Sequence, residues 1–399
     1  MPWEAVSIVE QRVQLVLDCL AGRFTVTEAC ERYGISRKTG YKWIERFKKN
    51  GRAGLEDESR RPDLSPNETP GKVVTAIVEL REKHPTWGAK KLLAKLKKNA
   101  PKTDWPAPST IALILKRQGL VTQGRRRRHR PGSHERPEVV VATHSNVVWT
   151  VDFKGHFRTQ DGRYCYPLTV MDRYSRYLLE CHGLVRPTYE ATARCFRGVF
   201  DQYGLPDVLR SDNGTPFCGP GLAGLSRLAV WWIRLGIRLD RIHPASPQEN
   251  GSHERFHRTL KRETTRPPAR TCRQQNARFG RWGYEYNYER PHEALGQIPP
   301  GEIYEPSTRP YPSQLPDPDY PGHFEARHVG SNGTLSLGAT VYFLSETLEG
   351  QDVGLEEIDD GLWTVYLVDV PIARINERTK TVEPAHERRG DLSVTDSAA

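Results

Sequence analysis

Residues 147–157 read VVWTVDFKGHF, an apolar strand pattern with one carboxylate, Asp152, set inside it. A carboxylate among buried apolar neighbours is expensive unless it meets a cation, so this strand asks for a partner. Working outward, a turn at Asp161-Gly162 leads to YCYPLTVMD (164–172) and then SRYLLECHGL (175–184), which predicts three sequential strands. A helix over 189–203 follows, then a short strand DVLRSD (207–212), another strand near Ile237 to Ile242, and a helix through GSHERFHRTLKRE (251–263). The order implies a mixed α/β sheet with helices packed on it.

Two more acids fall at structured positions. Asp212 ends the short strand, and Glu254 opens the later helix, whose face carries His257, Arg258, Lys261 and Arg262 at i+3, i+4, i+7 and i+8. One helix thus offers an acid to a metal and basic groups to phosphates. Three gathered carboxylates repel one another, and hard divalent ions with oxygen ligands, Mg²⁺ or Mn²⁺, relieve that repulsion. Two such ions about 3.5 to 4 Å apart suit phosphoryl transfer. His253 and His257, at i and i+4, read as helix packing or phosphate contact rather than as ligands beside acids that select a hard ion.

The N-terminal third points to a polyanion. Met1 to Arg136 holds 29 Lys and Arg against 15 Asp and Glu; residues 137–320 hold 24 against 20, and residues 321–399 hold 6 against 14. TVTEACERYGISRKTGYKWIERFKK (25–49) predicts two helices around a turn at Gly34, with Thr25 and Glu28 as a capping box and Ser36 capping the second helix. Trp43, Ile44 and Phe47 would face a core and leave Arg37, Lys38, Tyr41 and Lys42 outside, the layout of a helix-turn-helix. A second helical unit spans 73–120, its last helix capped by Ser109 and closed by Gly119, and a connector over 51–70 joins the two. GRRRRHRPGSHERP (124–137) would lie along a phosphate backbone through Arg125, Arg126, Arg127, Arg128 and Arg130.

Seven cysteines without a C-x-x-C pair favour buried thiols over a zinc or disulfide framework. No apolar run is long enough to cross a bilayer and no secretory signal is visible, so a cytoplasmic, nucleoid-associated location is expected. After the Pro-rich stretch 305–322, short strands at 324–329, 334–343, 353–358 and 362–375, with turns at Asn332-Gly333 and Asp360-Gly361, predict a small β-barrel.

WTVDFKG (149–155) with SRY (175–177), RSDNGTPF (210–217), HPASPQENGSHERFHRTLK (243–261) and YNYERPHEALG (286–296) together resemble the integrase core of retroviral integrases and bacterial insertion-sequence transposases, and the helix-turn-helix resembles transposase modules. That resemblance implies a ribonuclease-H-like core with Asp152, Asp212 and Glu254 as catalytic and metal-binding residues. Its N-G-x-x-E pattern selects Glu254 over Glu249. The 41 residues between the second and third acids exceed the commonest family spacing, an excess placed in GPGLAGLSRLAVWW (219–232), and no zinc-binding His-His-Cys-Cys domain precedes Asp152, so the bacterial branch fits better. Asn287, Glu289, Arg290 and His292 match a family element after the core and read as packing or DNA contacts.

The organisation expected is therefore a multidomain chain: a helix-turn-helix domain (1–60), a second one (61–124), a basic linker (125–137), the α/β ribonuclease-H-like core (138–305), a Pro-rich connector (306–323), a small β-barrel (324–380) and a flexible tail (381–399). The expected activity is that of a transposase that binds the inverted-repeat ends of an insertion sequence as double-stranded DNA, frees a 3′-OH with the help of two divalent ions, and joins it to target DNA. At least two subunits would act together, with no membrane and no organic cofactor. A DNA-binding regulator that has lost catalysis is the alternative from another class, and the presence of all three acids argues against it. A tyrosine or serine recombinase would need a nucleophile among basic residues, whereas the constellation here is acidic.

Overall fold

The computed structural model describes residues 7–58, 68–121, 140–219, 221–242 and 251–385, and the basic run at Arg125, Arg126, Arg127, Arg128 and Arg130 lies outside them, as does Glu249. The chain divides into two compact units, Met1–Pro70 and Gly71–Ala399. Among the described residues no helix is long and apolar enough to cross a membrane.

The first unit is a three-helix bundle of α1 (Ile8–Leu20), α2 (Val26–Arg32) and α3 (Arg37–Asn50). Ser7 with Glu10 and Thr25 with Glu28 form reciprocal capping boxes, and Ser36 caps α3, satisfying amides that a helix start leaves open. Gly34 makes the left-handed turn between α2 and α3. Gly40 brings those helices together, because a Cβ there would sit 2.4 Å from the Cys30 sulfur. Leu15, Val16, Trp43, Ile44 and Leu55 form the core. Leu55 lies in a 3-10 turn at Gly51–Leu55, so the expected connector begins as part of this core and not as a free linker.

In the second unit, α4 (Gly71–Lys83), α5 (Ala89–Asn99) and α6 (Pro108–Arg117) pack around Ile77, Trp87, Leu92 and Ile111. Helix α6 starts one residue earlier than expected, at Pro108, and Ser109 does not cap it; proline at the first turn gives up an amide that has no helical partner anyway. This bundle is docked on the α/β core of its own chain. His84 bonds Glu285 at 2.8 Å, Thr86 bonds Glu263 at 2.5 Å, and Lys90, Lys95 and Lys98 pair with Glu293, Glu289 and Glu302. Much of the basic face of α5 therefore meets acids of the same chain.

The core sheet contains β1 (Val148–Phe153), β2 (Phe157–Arg158), β3 (Tyr164–Asp172), β4 (Leu178–Leu184), β5 (Val208–Ser211) and β6 (Arg238–Arg241). Strand β3 joins β4 and β1 antiparallel, while β1, β5 and β6 run parallel. Helices α7 (Tyr189–Tyr203) and α8 (Arg227–Arg234) contribute Phe196, Phe200, Trp231 and Trp232 to one core cluster. Helices α9 (Gly251–Thr264) and α10 (Cys272–Tyr284) contribute Phe256, Leu260, Phe279 and Trp282 to a second. This is the mixed α/β core that the strand order predicts.

The C-terminal strands do not close into the expected barrel. Strands β7 (Glu325–His328), β10 (Asp352–Asp359), β11 (Leu362–Leu367), β12 (Val370–Asn376) and β13 (Thr381–Pro384) form a five-stranded antiparallel sheet, and β8 (Thr334–Leu337) with β9 (Thr340–Phe343) form a separate hairpin. Two positive-φ residues also split runs that the sequence pattern reads as single strands. Gly338 folds the run 334–343 back on itself, and Val368 breaks the run 362–375 into two strands. The apolar face of the sheet is covered by the core instead: Leu355, Val365 and Ile372 belong to the same cluster as Trp231, Trp232 and Val151.

Replacing Leu355, which is fully buried, by Ala should cost about 2 to 5 kcal/mol. Because the cluster is shared, fluorescence of the core tryptophans and circular dichroism of the sheet should shift together in denaturant. A loss confined to one signal would mean that the two parts unfold independently.

Candidate active site

Two of the three acids are set by sheet register. Parallel pairing places Thr150 beside Arg210, so the same register carried two residues further sets Asp152 alongside Asp212 at the carboxyl ends of β1 and β5. Asn213 fixes the end of β5 by donating to the Ile242 carbonyl at 2.8 Å, and the Gly214 amide donates to Asp212 Oδ1 at 3.1 Å. Arg210 bonds Asp240 through Nε at 2.8 Å, so its charge is committed to tying β5 to β6.

Glu254 stands in the first turn of α9, exposed, where the positive end of the helix favours a carboxylate. Helix α9 is amphipathic in an unusual way. Its buried side carries His253, Phe256, His257 and Leu260, and its exposed side carries Glu254, Arg255, Arg258, Lys261 and Arg262. His257, expected among the DNA-contacting residues, is therefore corrected: at 4% exposure it faces the sheet, with Nε2 2.8 Å from Thr169 Oγ1 and Nδ1 3.6 Å from Asp152 Oδ2. His253, 1% exposed, lies between Thr169 at 2.7 Å and Thr150 at 3.0 Å. Burial pulls both imidazoles well below their ordinary range, His253 to about 3, so both are neutral.

Asp152, Lys154, Glu254, His257, Arg258 and Lys261 line one cavity of about 570 Å³. Asp212 is not in that lining, but its charge reaches it. Burial first, then Asp212, and more weakly Glu254, push the Asp152 carboxyl up to about 7 against the opposing pull of Lys154. The tightest set of possible ligand atoms among the described residues is Asp152 with His253 and His257, all within 4.8 Å of one another. Neither histidine's place beside Asp152 was legible without the sheet, although their i, i+4 spacing flagged the pair.

The other end of α9 is also held. Glu263 accepts two bonds from Arg290 Nη1 at 2.7 and 3.0 Å, one from Trp282 Nε1 at 2.6 Å and one from Thr86. Asn287 caps the start of β4, accepting from the Leu178 amide and donating to its carbonyl, both at 2.8 Å. Asn287 and Arg290 are thus buried packing residues, and Glu289 pairs with Lys95 of the docked bundle. In the first unit Arg37, Lys38, Tyr41 and Lys42 are all exposed on α3, as the helical pattern requires. The seven cysteines are free, with the Cys165 and Cys272 sulfurs 3.8 Å apart.

The Asp152 carboxyl titrates near 7 in the folded protein and near its ordinary 3.8 in the unfolded chain. Between those values the folded state holds a proton that the unfolded state has released, so stability falls as pH rises through that window. Metal-free protein should melt lower at pH about 8 than at pH about 5, and Asp152→Asn should flatten that decline and melt higher at the upper pH. Melting curves in chelator test this; parallel declines in the two proteins would show that the carboxyl is not held up.

Comparison with known families places these features. Integrase core domain families match residues 142–247 and 235–300, a helix-turn-helix domain family matches 11–62, and a homeodomain-like domain family matches 39–115. An uncharacterized 39.2 kDa protein of insertion element IS476 from Xanthomonas euvesicatoria is 28% identical over 262 residues, covering 63% of this chain and 70% of that protein. A 31.7 kDa protein of insertion element IS407 from Burkholderia multivorans is 26% identical over 259 residues, covering 63% of this chain and 87% of that protein. Among solved structures, the magnesium complex of the HTLV-2 integrase catalytic core is 15% identical with a TM-score of 0.31, covering 41% of this chain and 100% of that one. An integrase core, helix-turn-helix units and insertion-element relatives on one chain support a bacterial insertion-sequence transposase of the DDE and retroviral-integrase superfamily.

Proposed function

We propose that this transposase binds the inverted-repeat ends of its element and uses Asp152, Asp212 and Glu254 to cut each end and join it to target DNA. The observation that carries the proposal is the Asp152 carboxyl, pushed up to about 7 by burial and by two further acids against the weaker pull of Lys154 and a backbone hydrogen bond at Phe153. Such a cluster is incomplete without added positive charge, and its all-oxygen donor set fits Mg²⁺ or Mn²⁺. Two bound ions would activate the attacking oxygen and stabilise the leaving one.

The protein's own groups do the rest. Arg258 and Lys261, on the cavity wall beside Glu254, hold the phosphates of the scissile strand, with the exposed Arg262 one position further along the helix. In the first step water attacks the phosphodiester and the P–O3′ bond breaks, leaving a 3′-OH at the element end. In the second that hydroxyl attacks a target phosphate, a new P–O bond forms, and the target strand's own 3′ oxygen leaves. Each step exchanges one bond to phosphorus for another, so no covalent enzyme intermediate is required.

End recognition falls to α3, whose Arg37, Lys38, Tyr41 and Lys42 lie at the face that a helix-turn-helix turns to the major groove. The docked bundle adds a second contact through α6, which exposes Ser109, Lys116 and Arg117. An element has two ends and each core one set of acids, so at least two subunits assemble on DNA.

Asp152→Ala, Asp212→Ala and Glu254→Ala should each abolish cleavage and joining while end binding stays near wild type. Glu249→Ala should cut normally; the reverse result for Glu254 and Glu249 would identify the wrong third acid. Separately, Lys42→Ala should weaken end binding and lower the slope of log affinity against log salt by about one, as expected for one lost phosphate contact. An unchanged slope in a gel-shift titration would remove α3 from the interface.

A further inference from the structure

Four buried polar side chains run in sequence behind the acids. Thr150 Oγ1 lies 3.0 Å from His253 Nδ1, His253 Nε2 lies 2.7 Å from Thr169 Oγ1, and Thr169 Oγ1 lies 2.8 Å from His257 Nε2. The last nitrogen, His257 Nδ1, faces Asp152 Oδ2 at 3.6 Å. All four residues are buried, so the polar atoms between them find their partners chiefly in one another.

A neutral imidazole has one N–H and one lone pair, and a threonine hydroxyl has one proton to give. One assignment serves every atom in the row when the Asp152 carboxylate at its end is ionised. Thr150 donates to His253 Nδ1, His253 Nε2–H donates to Thr169, Thr169 donates to His257 Nε2, and the remaining proton sits on His257 Nδ1, pointing at the carboxylate. If Thr150 instead gave its proton to the Met171 carbonyl, 3.4 Å away, or Thr169 gave its own to the Asp152 carbonyl, 3.0 Å away, His257 Nε2 would have to donate to Thr169. His257 would then present a lone pair to Asp152 Oδ2, which is repulsive for the ionised carboxylate that a divalent ion requires. The row therefore has a direction, and it ends on a metal-binding acid.

We propose that His257, with its tautomer set by Thr169, His253 and Thr150, is the positioning residue that orients the Asp152 carboxylate for divalent-ion binding. The proposal rests on the assignment of Asp152 as a metal ligand. At 3.6 Å the final contact is an ion–dipole interaction and not a formed hydrogen bond, so its work is to hold the carboxylate's angle rather than to neutralise it. Partners of this kind behind a ligand commonly change metal affinity by 10- to 100-fold when removed. The row also explains why two polar rings occupy the apolar side of α9, where packing alone would call for aliphatic residues.

The test is Mn²⁺ binding by the full chain without DNA, read from the paramagnetic resonance signal of free Mn²⁺, alongside end cleavage. His257→Leu should weaken Mn²⁺ binding about 10-fold and raise the metal concentration needed for cleavage by a similar factor. His257→Asn, whose amide N–H takes the place of Nδ1–H, should stay near wild type in both. Thr169→Val should reproduce the loss, yet add little to it in the His257→Leu background, because the two side chains act through one contact. Asp152→Asn separates the two levels of the argument. If Asp152→Asn leaves Mn²⁺ binding unchanged, the assignment of the acid has failed; if it weakens binding and His257→Leu does not, the positioning role alone is overturned. Equal loss in His257→Asn and His257→Leu, with unchanged melting temperature, would make the imidazole a direct ligand and also overturn the proposal.

Discussion

Asp152 sits where a sheet can least tolerate it, near the end of a strand whose earlier residues are buried, with two more acids close enough to raise its proton affinity. Repulsion of this size has to be opposed by rigid structure, because three side chains free to move would swing apart into water. Much of the core reads as that opposition. The parallel register of β1 and β5 fixes the first two acids by backbone hydrogen bonds, and Asn213 and Arg210 then lock the end of β5 against its neighbour. Side chains that could have been neutralising are spent on holding position.

The third acid needs a different device, since Glu254 is exposed on a helix and not ordered by a strand. Helix α9 is pinned along its length: His253 and His257 bond to threonines of β1 and β3, Phe256 and Leu260 fill the apolar layer, and Glu263 is gripped by Arg290, Trp282 and Thr86. Thr86 belongs to the helical bundle docked on the core, so the segment that precedes the catalytic domain in sequence also braces the helix that carries an acid. Glu263 is buried and its several bonds hold its carboxyl below the ordinary range despite that burial, so it stays ionised and paired with Arg290. Removing one partner would leave a largely buried charge unmatched, so this pair costs more to break than a surface ion pair.

How much of this was legible in the sequence depended on the range of the interaction. Strand and helix positions in the core followed from local apolar pattern, and helix α7 begins and ends where periodicity puts it. The caps at Thr25 and Ser36 followed from chemistry three residues away. Misreadings occurred where a backbone conformation had no residue signature or where the partner was distant. Val368 turns the chain with a β-branched residue that ordinarily avoids positive φ, so two strands read as one. His257 lay on a face that looks basic in a helical projection, and only the position of Thr169 on β3 shows that it points inward. The acids that hold the α5 lysines Lys90 and Lys98 lie some two hundred residues away, beyond the reach of any local pattern.

The same reasoning accounts for α8 and for the extra residues ahead of it. A helix packed on one sheet needs one apolar face, yet Leu228, Ala229, Val230, Trp231, Trp232 and Ile233 are all buried. Burial all round means two neighbours, and the shared core identifies them as the catalytic sheet and the C-terminal sheet. The stretch before α8 joins the same contact: a Cβ on Gly221 would meet Ser345 Oγ at 2.6 Å, and Arg241 donates to the carbonyls of Ala223 and Gly224. The long spacing between the second and third acids is thus occupied by structure that bridges the core to the C-terminal sheet. The apolar side of that sheet is consumed inside the chain, through the cluster that Leu355, Val365 and Ile372 share with Trp231 and Trp232.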